Sequence, residues 1–179
     1  YDGKQWGPER QVSNSPGNDW EPSLAVAPNG NVAVVWDTYD AGNYDVVARI
    51  LSGGQLGAVL PIASSGAFET RASARYDRKG RLWVAYDEGD WNWGKDYGNG
   101  VVESGRGLLV RRQVRVAVIE NGRVMQPSAP VSDAVPEDFR QVFQHPDLVL
   151  DAQDRPWLLF RARVNLPQGG GRGAFRGMW

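Results

Sequence analysis

The sequence contains no cysteine, a single histidine and only three lysines among its 179 residues. Without cysteine the chain has no disulfide bond, no thiolate zinc site and no cysteine nucleophile. Seventeen of the twenty cationic residues are arginines, which are scattered along a chain of net charge −1. This pattern lacks the basic face of a nucleic-acid-binding protein, so no nucleic-acid partner is predicted.

Long apolar segments are also absent, and no run approaches the roughly 18 apolar residues of a membrane-spanning helix. No membrane span is therefore predicted. The chain begins at Tyr1 and not at Met, so we expect that a leader has been removed or that the sequence is part of a longer polypeptide. Aromatic residues are abundant, with 8 Trp, 6 Tyr and 5 Phe beside 22 Gly and 11 Pro. This composition indicates many short strands separated by tight turns.

An internal repeat organises the sequence. Residues 19–37, DWEPSLAVAPNGNVAVVWD, align without a gap to residues 69–87, ETRASARYDRKGRLWVAYD, at an offset of fifty positions. A third copy, HPDLVLDAQDRPWLLFR, occupies residues 145–161. It follows the second copy at a wider spacing, and the additional residues lie mostly in an insertion at 91–113.

Each copy predicts four short strands, which we call a to d. In the first copy they are residues 23–26, 32–36, 44–51 and 58–62, and Gly30 lies in the turn between a and b. Strand b is apolar on both faces, as expected for a strand packed between neighbouring sheets. A unit of this size cannot cover its own faces and must stack on copies of itself. We therefore predict an all-β fold, a β-propeller of four-stranded blades about fifty residues long, with a β-sandwich or β-solenoid as the alternative.

The repeats predict one propeller fragment, a partial ring of about three blades. Residues 1–17 are predicted as strand d of a preceding blade, 18–66 as blade 1, 67–133 as blade 2 with the insertion 91–113, and 134–179 as an incomplete blade 3. A closed ring of three blades would be unusually small. The remaining blades are therefore expected in the parent chain or in a second copy.

The first copy carries the pattern W-x-P-S-x-A-V at residues 20–26, followed by x-N-G-x-V-x-V-x-W-D-x-Y-x-x-G-N-Y-D-V at 28–46. This pattern resembles exported bacterial propellers with sialidase-like or BNR-like repeats. The resemblance implies an extracellular or periplasmic location, and it implies that a separate catalytic domain often accompanies the propeller.

The sialidase Asp-box, S-x-D-x-G-x-x-W, is present only in an altered form. Asp77 lies three positions before Gly80 where the box has two, although Trp83 has the expected spacing. The arginine triad of sialidases is not fixed by any motif, and Arg71, Arg161 and Arg163 are its candidates. The nucleophilic Tyr with its Glu partner is not identified.

Propeller ligand sites lie on the face where strand a begins and the b–c loop opens, beside the central channel. Glu21, Arg71 and His145 occupy one equivalent position at the beginning of strand a in the three copies. An acid, a guanidinium and an imidazole at one repeated position predict an asymmetric polar site, with solvated strand-end residues as the alternative. The catalytic candidates are these three residues and Asp87.

Carboxylates beside exposed aromatic rings are typical of sugar recognition, because rings stack on pyranose faces and carboxylates accept hydroxyl hydrogen bonds. The b–c loops at 37–45 and 87–100 are rich in both. The alternative is that each loop packs against its own blade. The candidate ligand-binding residues are Trp20, Glu21, Tyr39, Tyr44, Arg71, Trp91, Trp93 and Arg161, with Tyr97 as a further stacking residue.

The same loops allow two other kinds of site. Asp37, Asp40 and Asp45 are weak candidates for binding Ca²⁺, although their spacing matches no EF-hand, and no other cofactor is predicted. Glu21 with Asp87 is a candidate acid–base pair for glycoside cleavage. His145 has no Ser or Cys partner that would indicate a hydrolase triad.

The sequence thus predicts a propeller module of an exported protein that binds carbohydrate or another small polar ligand on its channel-side face. A sialidase-like glycoside hydrolase and a structural, protein-docking propeller are the alternatives. Whether this chain alone is an enzyme is left open.

Overall fold

The computed structural model describes residues 3–91, 111–137 and 142–163. Within these ranges the chain forms β-strands and one short 3-10 helix, Val131–Ala134, with no α-helix. Accordingly, none of the described elements is a helix long and apolar enough to span a membrane. The predicted all-β class is confirmed for this part of the chain.

The first sheet contains the four strands predicted for the first copy. Its strands are β1 (Asp19–Val26), β2 (Val32–Thr38), β3 (Asp45–Ser52), β4 (Gln55–Leu56) and β5 (Leu60–Ala63). They are antiparallel in the order β1–β2–β3, and both β4 and β5 pair with β3. Strand β2 is buried on both sides, at Val35 on one side and Trp36 on the other, as its apolar sequence predicts.

The second and third copies form a six-stranded hydrogen-bonded sheet. Its strands are β6 (Phe68–Tyr76), β7 (Leu82–Gly89), β8 (Arg112–Glu120), β9 (Arg123–Met125), β10 (Val142–Leu150) and β11 (Pro156–Arg163). The hairpin β10–β11 joins β8 through one parallel pair, Val142 with Arg112, so it behaves as a separate layer beside β6–β9. Because β8 begins at Arg112, the predicted insertion 91–113 ends slightly earlier than expected. Residues 92–110 of that insertion lie outside the described residues.

The turn between strands a and b has one backbone solution in all three copies. Gly30, Gly80 and Asp154 occupy the same turn position with φ of 84°, 79° and 60°. Glycine adopts this left-handed region without steric cost, and aspartate is among the few residues that tolerate it. Asp154 also links the third copy to the second. Its carboxylate accepts hydrogen bonds from the backbone N–H of Arg78, at 3.2 Å, and from Nε of the Arg78 side chain, at 3.1 Å.

An aspartate organises the second of these turns, despite the altered Asp-box spacing. Asp77 accepts hydrogen bonds from the backbone N–H groups of Lys79 and Arg81, from Arg81 Nε at 2.6 Å and from Trp83 Nε1 at 3.0 Å. Asp151 accepts the corresponding bonds from residues two, four and six positions later in the third copy. The D-x-x-x-R-x-W spacing therefore works as a turn-stabilising clamp in two of the three copies.

The sheets stack face to face over shared apolar cores. Ala33, Val35 and Val46 of the first sheet share one core with Leu82 and Val84 of the second. A smaller core of Val114, Phe143 and Ala162 holds the hairpin β10–β11 against β8. Repeats that cannot cover their own faces thus cover one another, as the sequence predicted.

A hydrogen bond repeats at both stacking interfaces. The hydroxyl of Ser23 accepts the backbone N–H of Ala74 at 3.1 Å, and the hydroxyl of Ser73 accepts the backbone N–H of Leu148 at 3.0 Å. Ser23 and Ser73 are equivalent in the repeat, and so are Ala74 and Leu148. Each strand a is therefore fixed in register against strand a of the preceding copy.

Strand d predicted within residues 1–17 is not formed, since residues 3–18 contain no strand. This segment is held to the first sheet by arginine side chains that donate hydrogen bonds to backbone carbonyl groups, and not by strand pairing. Arg49 Nη1 donates to the carbonyl of Val12 at 2.6 Å, and Arg10 Nη1 donates to that of Gly54 at 2.6 Å. The predicted blade boundaries remain predictions.

Candidate functional site

Each of the strands β1, β6 and β10 carries a β-bulge near its beginning. In each strand two residues stand opposite one residue of the partner strand. The first residue of each bulge is Glu21, Arg71 or His145, with φ of 46°, 57° and 55°. None of these is glycine, and side chains of this size rarely adopt the left-handed region. The position selected from the sequence is thus a repeated, strained backbone feature.

A carboxylate of the preceding sheet explains the backbone part of this feature. The N–H of Arg71 donates to both carboxylate oxygens of Asp37, at 2.9 and 3.0 Å. The backbone amide of His145 faces Asp87, the equivalent residue of the second sheet, and lowers its pKa. Asp37 and Asp87 therefore hold the bulge of the next copy. Arg161 occupies the equivalent position in the third copy, opposite Gln144.

The three bulges converge on one surface pocket, which we call the bulge pocket. Its volume is about 360 Å³. The first bulge residue and the next two residues of each strand a line it, together with Arg75. These residues are Glu21, Pro22, Ser23, Arg71, Ala72, Ser73, Arg75, His145, Pro146 and Asp147. Charged side chains of both signs thus border a concave surface.

Charges of alternating sign run from the mouth of the bulge pocket into the protein. Glu21 Oε2 lies 3.6 Å from Arg71 Nε, and Arg71 Nη1 lies 3.1 Å from Asp87 Oδ2. Asp87 Oδ2 is also 3.4 Å from Nη1 of Arg112, whose guanidinium lies 4.5 Å from the ring centre of Phe68. Side-chain exposure decreases from 53% at Glu21 through 27% at Arg71 to 0% at Asp87. Of the two arginines in this row of charges, Arg71 is therefore the one that a ligand can reach.

Burial changes the acidity of the two carboxylates behind the pocket. It raises the pKa of Asp37 to about 7, although the hydrogen bond from the Arg71 backbone has a lowering effect. It raises the pKa of Asp87 to about 6 against the lowering effects of Arg112 and Arg71. Both groups consequently change charge near neutral pH.

The pKa of the His145 imidazole is lowered, whereas the pKa values of Asp37 and Asp87 are raised. Desolvation, together with the positive charges of Arg71, Arg161 and Arg112, lowers the pKa of His145 to about 4. The ring is therefore neutral at neutral pH, where it offers one hydrogen-bond donor and one acceptor. This is a suitable partner for hydroxyl groups, which also donate and accept.

Three aromatic candidates lie together but outside the bulge pocket. Tyr44 is buried, with its ring centre 5.0 Å from that of Trp20, 4.9 Å from that of Tyr39 and 5.2 Å from that of Phe68. Trp20 and Tyr39 are half-buried in this cluster. The cluster packs the beginning of β6 against the first sheet, which is the packing alternative weighed for the loop. No member of it lines the bulge pocket.

Trp91 lies at a different place on the surface. It is exposed and lines a second pocket, also of about 360 Å³, with Glu88, Asp90 and Arg111 among its other residues. The structure does not bring Trp91 and Glu21 to one pocket. Trp93 and Tyr97 lie outside the described residues.

The candidate calcium ligands are engaged with protein groups or buried. Asp37 accepts the N–H of Arg71, and Asp40 accepts hydrogen bonds from the hydroxyl of Ser15 and the N–H of Gly17. Asp45 is buried, and this burial raises its pKa. Among the residues that the structure describes, no three His, Cys, Asp or Glu side chains are grouped as a metal site. Calcium binding therefore stays a prediction.

Sequence reasoning did not identify Arg75, Asp147 and Arg112 as parts of this region. Asp147 was detectable, because it takes the place of Ser23 and Ser73 in the third copy. Arg112 lies at the end of the insertion, where the repeat gives no alignment. Of the arginine-triad candidates, Arg71 lines the bulge pocket and Arg161 lies near enough to His145 to influence it. Arg163 ends β11, and its side chain lies outside the described residues.

No family model and no curated protein matches the chain. Solved structures are similar to it in fold. A Hadza microbial sialidase, Hz136, has a TM-score of 0.61 at 12% identity over 84% of this chain and 33% of the sialidase. An endo-arabinase from Bacteroides thetaiotaomicron VPI-5482 has a TM-score of 0.51 at 12% identity over 86% of this chain and 54% of that enzyme.

This chain thus spans about a third of the length of the sialidase and about half of that of the endo-arabinase. At this identity the similarity shows the fold alone. The chain has a sialidase-like propeller fold.

Proposed function

We propose that this chain is a propeller module of an exported protein and that its bulge pocket binds a carbohydrate or a related polar ligand. The observation that carries the proposal is the convergence of Glu21, Arg71 and His145 on one pocket. Their backbone conformation has a structural explanation, because the bulge amides face carboxylates of the preceding sheet. The ion pairs of Arg71 with Glu21 and with buried Asp87 account for part of the side-chain arrangement, but placing an amide does not require an acid, a guanidinium and an imidazole at one repeated position.

The chemistry of the pocket fits a ligand with several hydroxyl groups. The carboxylate of Glu21 accepts hydrogen bonds, Arg71 and Arg75 donate them, and the neutral imidazole of His145 does both. The described residues supply no aromatic stacking here, because none of those that line the bulge pocket is aromatic. Polar contacts are therefore expected to dominate binding. The sialidase and the endo-arabinase, which act on carbohydrates, support the same ligand class.

Binding to a glycan panel of neutral and acidic sugars tests the proposal. We expect Arg71→Gln to weaken binding of the selected glycan at least about tenfold, since a charge-assisted hydrogen bond is lost. Arg115→Gln is the matched control, because Arg115 is similarly exposed and forms an ion pair with Glu88 outside the pocket. His145→Asn is a second pocket variant, and asparagine tolerates the left-handed backbone. Equal affinity of all three variants and the wild type would exclude the bulge pocket as the site.

The pocket around Trp91 gives the panel a second outcome. The double variant Trp91→Ala with Trp93→Ala removes the exposed ring of Trp91 together with that of Trp93, and it changes no residue that lines the bulge pocket. If it alone loses glycan binding, the ligand binds by stacking at the Trp91 pocket, and the assignment to the bulge pocket is wrong.

A sialidase-like hydrolase is the second candidate. Two carboxylates, Glu21 and Asp87, flank Arg71, and the raised pKa of Asp87 is typical of an acid catalyst. Against this role, Asp87 is fully buried and cannot touch a substrate in this conformation. Turnover of aryl sialosides or arabinosides by the wild type, abolished in Glu21→Gln, would establish the hydrolase and displace simple binding.

A further inference from the structure

The third copy exposes a face that is covered in the first two copies. On the hairpin β10–β11, Val149, Trp157 and Leu159 are 43%, 59% and 49% exposed. The equivalent residues of the first copy are Ala25, Ala33 and Val35, and all three are buried against the second sheet. An apolar surface of this kind on a stacked repeat indicates a missing neighbour.

The opposite end of the chain exposes the complementary face. Leu24 and Val26 of β1 are 64% and 67% exposed. Their equivalents in the third copy are Leu148 and Leu150. Leu148 is fully buried, and its N–H donates to Ser73 on β6 of the second copy. The chain therefore carries both halves of its own stacking interface, and none of the residues that the structure describes covers either half.

At these two ends, the charges of the two facing positions are the reverse of those at the inner interfaces. At the inner interfaces a carboxylate, Asp37 or Asp87, meets the bulge residue Arg71 or His145 of the next copy. At the exposed end Arg161 takes the carboxylate position, and an arginine cannot accept a backbone N–H. An acidic bulge residue on the incoming strand would suit it. Among the three bulge residues, only Glu21 is acidic, and it belongs to the other exposed end.

The second polar contact is the hydrogen bond donated by the N–H of the next strand a, and the exposed hairpin can also form it. Asp147 takes the place of Ser23 and Ser73, whose hydroxyls accept the N–H of the next strand a. A carboxylate accepts the same bond, and the incoming N–H would be that of Leu24. Both polar positions at the exposed hairpin thus match β1 of this same sequence.

We propose that a second copy of this chain packs head to tail on the first, with β1 of one copy on the hairpin β10–β11 of the other. The contact reproduces the two inner interfaces, with Glu21 beside Arg161 and the N–H of Leu24 on Asp147. Two copies related by a twofold axis satisfy both ends at once and close a ring. The inference is independent of what the bulge pocket binds.

The oligomeric state of the full chain tests this proposal. Sedimentation equilibrium should give twice the mass of one chain, and Leu24→Glu or Leu159→Glu should each give a monomer. Both side chains are exposed in the single chain, so neither variant is expected to unfold it. Val59→Glu is the matched control, because Val59 is an exposed apolar residue outside β1 and the hairpin β10–β11, and its substitution should leave the mass doubled.

Mixing the two monomeric variants distinguishes a head-to-tail contact from any other. In the mixture, the intact hairpin of the Leu24→Glu chain meets the intact β1 of the Leu159→Glu chain, and paired molecules should reappear. A wild type that stays monomeric at every soluble concentration overturns the proposal. So does a mixture that remains monomeric at its highest soluble concentration while the wild type pairs.

Discussion

At the scale of single residues, the buried carboxylates of this chain are its main pH-sensitive groups. Burial raises the pKa values of Asp37 and Glu69 to about 7 and that of Asp87 to about 6. The folded state therefore holds protons that the unfolded chain, with ordinary pKa values near 4, releases. Stability from these groups is complete below about pH 4, decreases as the pH rises above the unfolded pKa values, and is fully lost once the pH passes the folded pKa values of about 6 to 7. His145 acts in reverse, because its pKa is lowered to about 4 and its contribution is lost as the pH falls below 6.5.

Asp37→Asn should flatten the dependence of stability on pH. The amide oxygen still accepts the N–H of Arg71, but the proton uptake of the carboxyl group is removed. Urea unfolding between pH 4 and 8 should show that the free energy of unfolding decreases less steeply in the variant. The difference should reach at most one proton, about 1.4 kcal/mol per pH unit. Parallel curves for variant and wild type would show that Asp37 has an ordinary pKa.

At the scale of elements, each copy depends on the turn that joins strand a to strand b. The turns of the second and third copies have an aspartate clamp, at Asp77 and Asp151, whereas Asn29 accepts a single bond, from the N–H of Asn31, in the first. The pKa of Asp77 is lowered because hydrogen bonds from Trp83 and Arg81 outweigh the raising effect of burial. Backbone and side-chain bonds from Arg155 also lower the pKa of Asp151 well below its usual range.

Asp77→Ala should destabilise the protein more than Asn29→Ala, which changes the corresponding turn of the first copy. It leaves partly buried donors of Arg81 and Trp83 without their acceptor, which costs on the order of 2 kcal/mol. Asn29→Ala removes one exposed bond and should cost only about 0.5 kcal/mol. Thermal unfolding followed by far-UV circular dichroism measures both. Equal losses would mean that the clamp does not stabilise the hairpin.

At the scale of the whole molecule, the first and second copies share one apolar core, and the hairpin of the third copy is attached through a smaller core. Leu82 is fully buried between the sheets with Val35 and Val84, whereas Phe143 belongs to the core beside β8. Two sheets over one continuous core should unfold together. The hairpin β10–β11 should open independently.

Leu82→Ala should therefore reduce protection in both sheets. Removing a buried leucine from a shared core costs about 2–5 kcal/mol, and hydrogen exchange should accelerate in β1–β3 as much as in β6–β8. Val59→Ala, at an exposed position outside β1 and the hairpin β10–β11, serves as the control and should leave exchange unchanged. Acceleration confined to β6–β8 would show that the sheets unfold separately.

The strands and their repeat could be predicted from the sequence because both depend on local patterns. The alternation of apolar residues, the turn glycines and the offset of fifty positions predicted the strands of the first copy to within a few residues at most of their ends. The repeat also identified Glu21, Arg71 and His145 as equivalent. Residues 1–17 were predicted to contain strand d, whereas residues 3–18 contain no strand, and the side chains that bind this segment, such as Arg49, are distant in sequence.

The use of each side chain was decided only by the tertiary structure. Tyr44 had the sequence context of a sugar-stacking residue, yet it is buried among other rings. Glu21 and Arg71 became an ion pair because two sheets meet there. A repeat determines local backbone geometry, which depends on neighbours along the chain. Packing determines which side chains remain accessible to a ligand, because accessibility depends on residues that only stacking brings together.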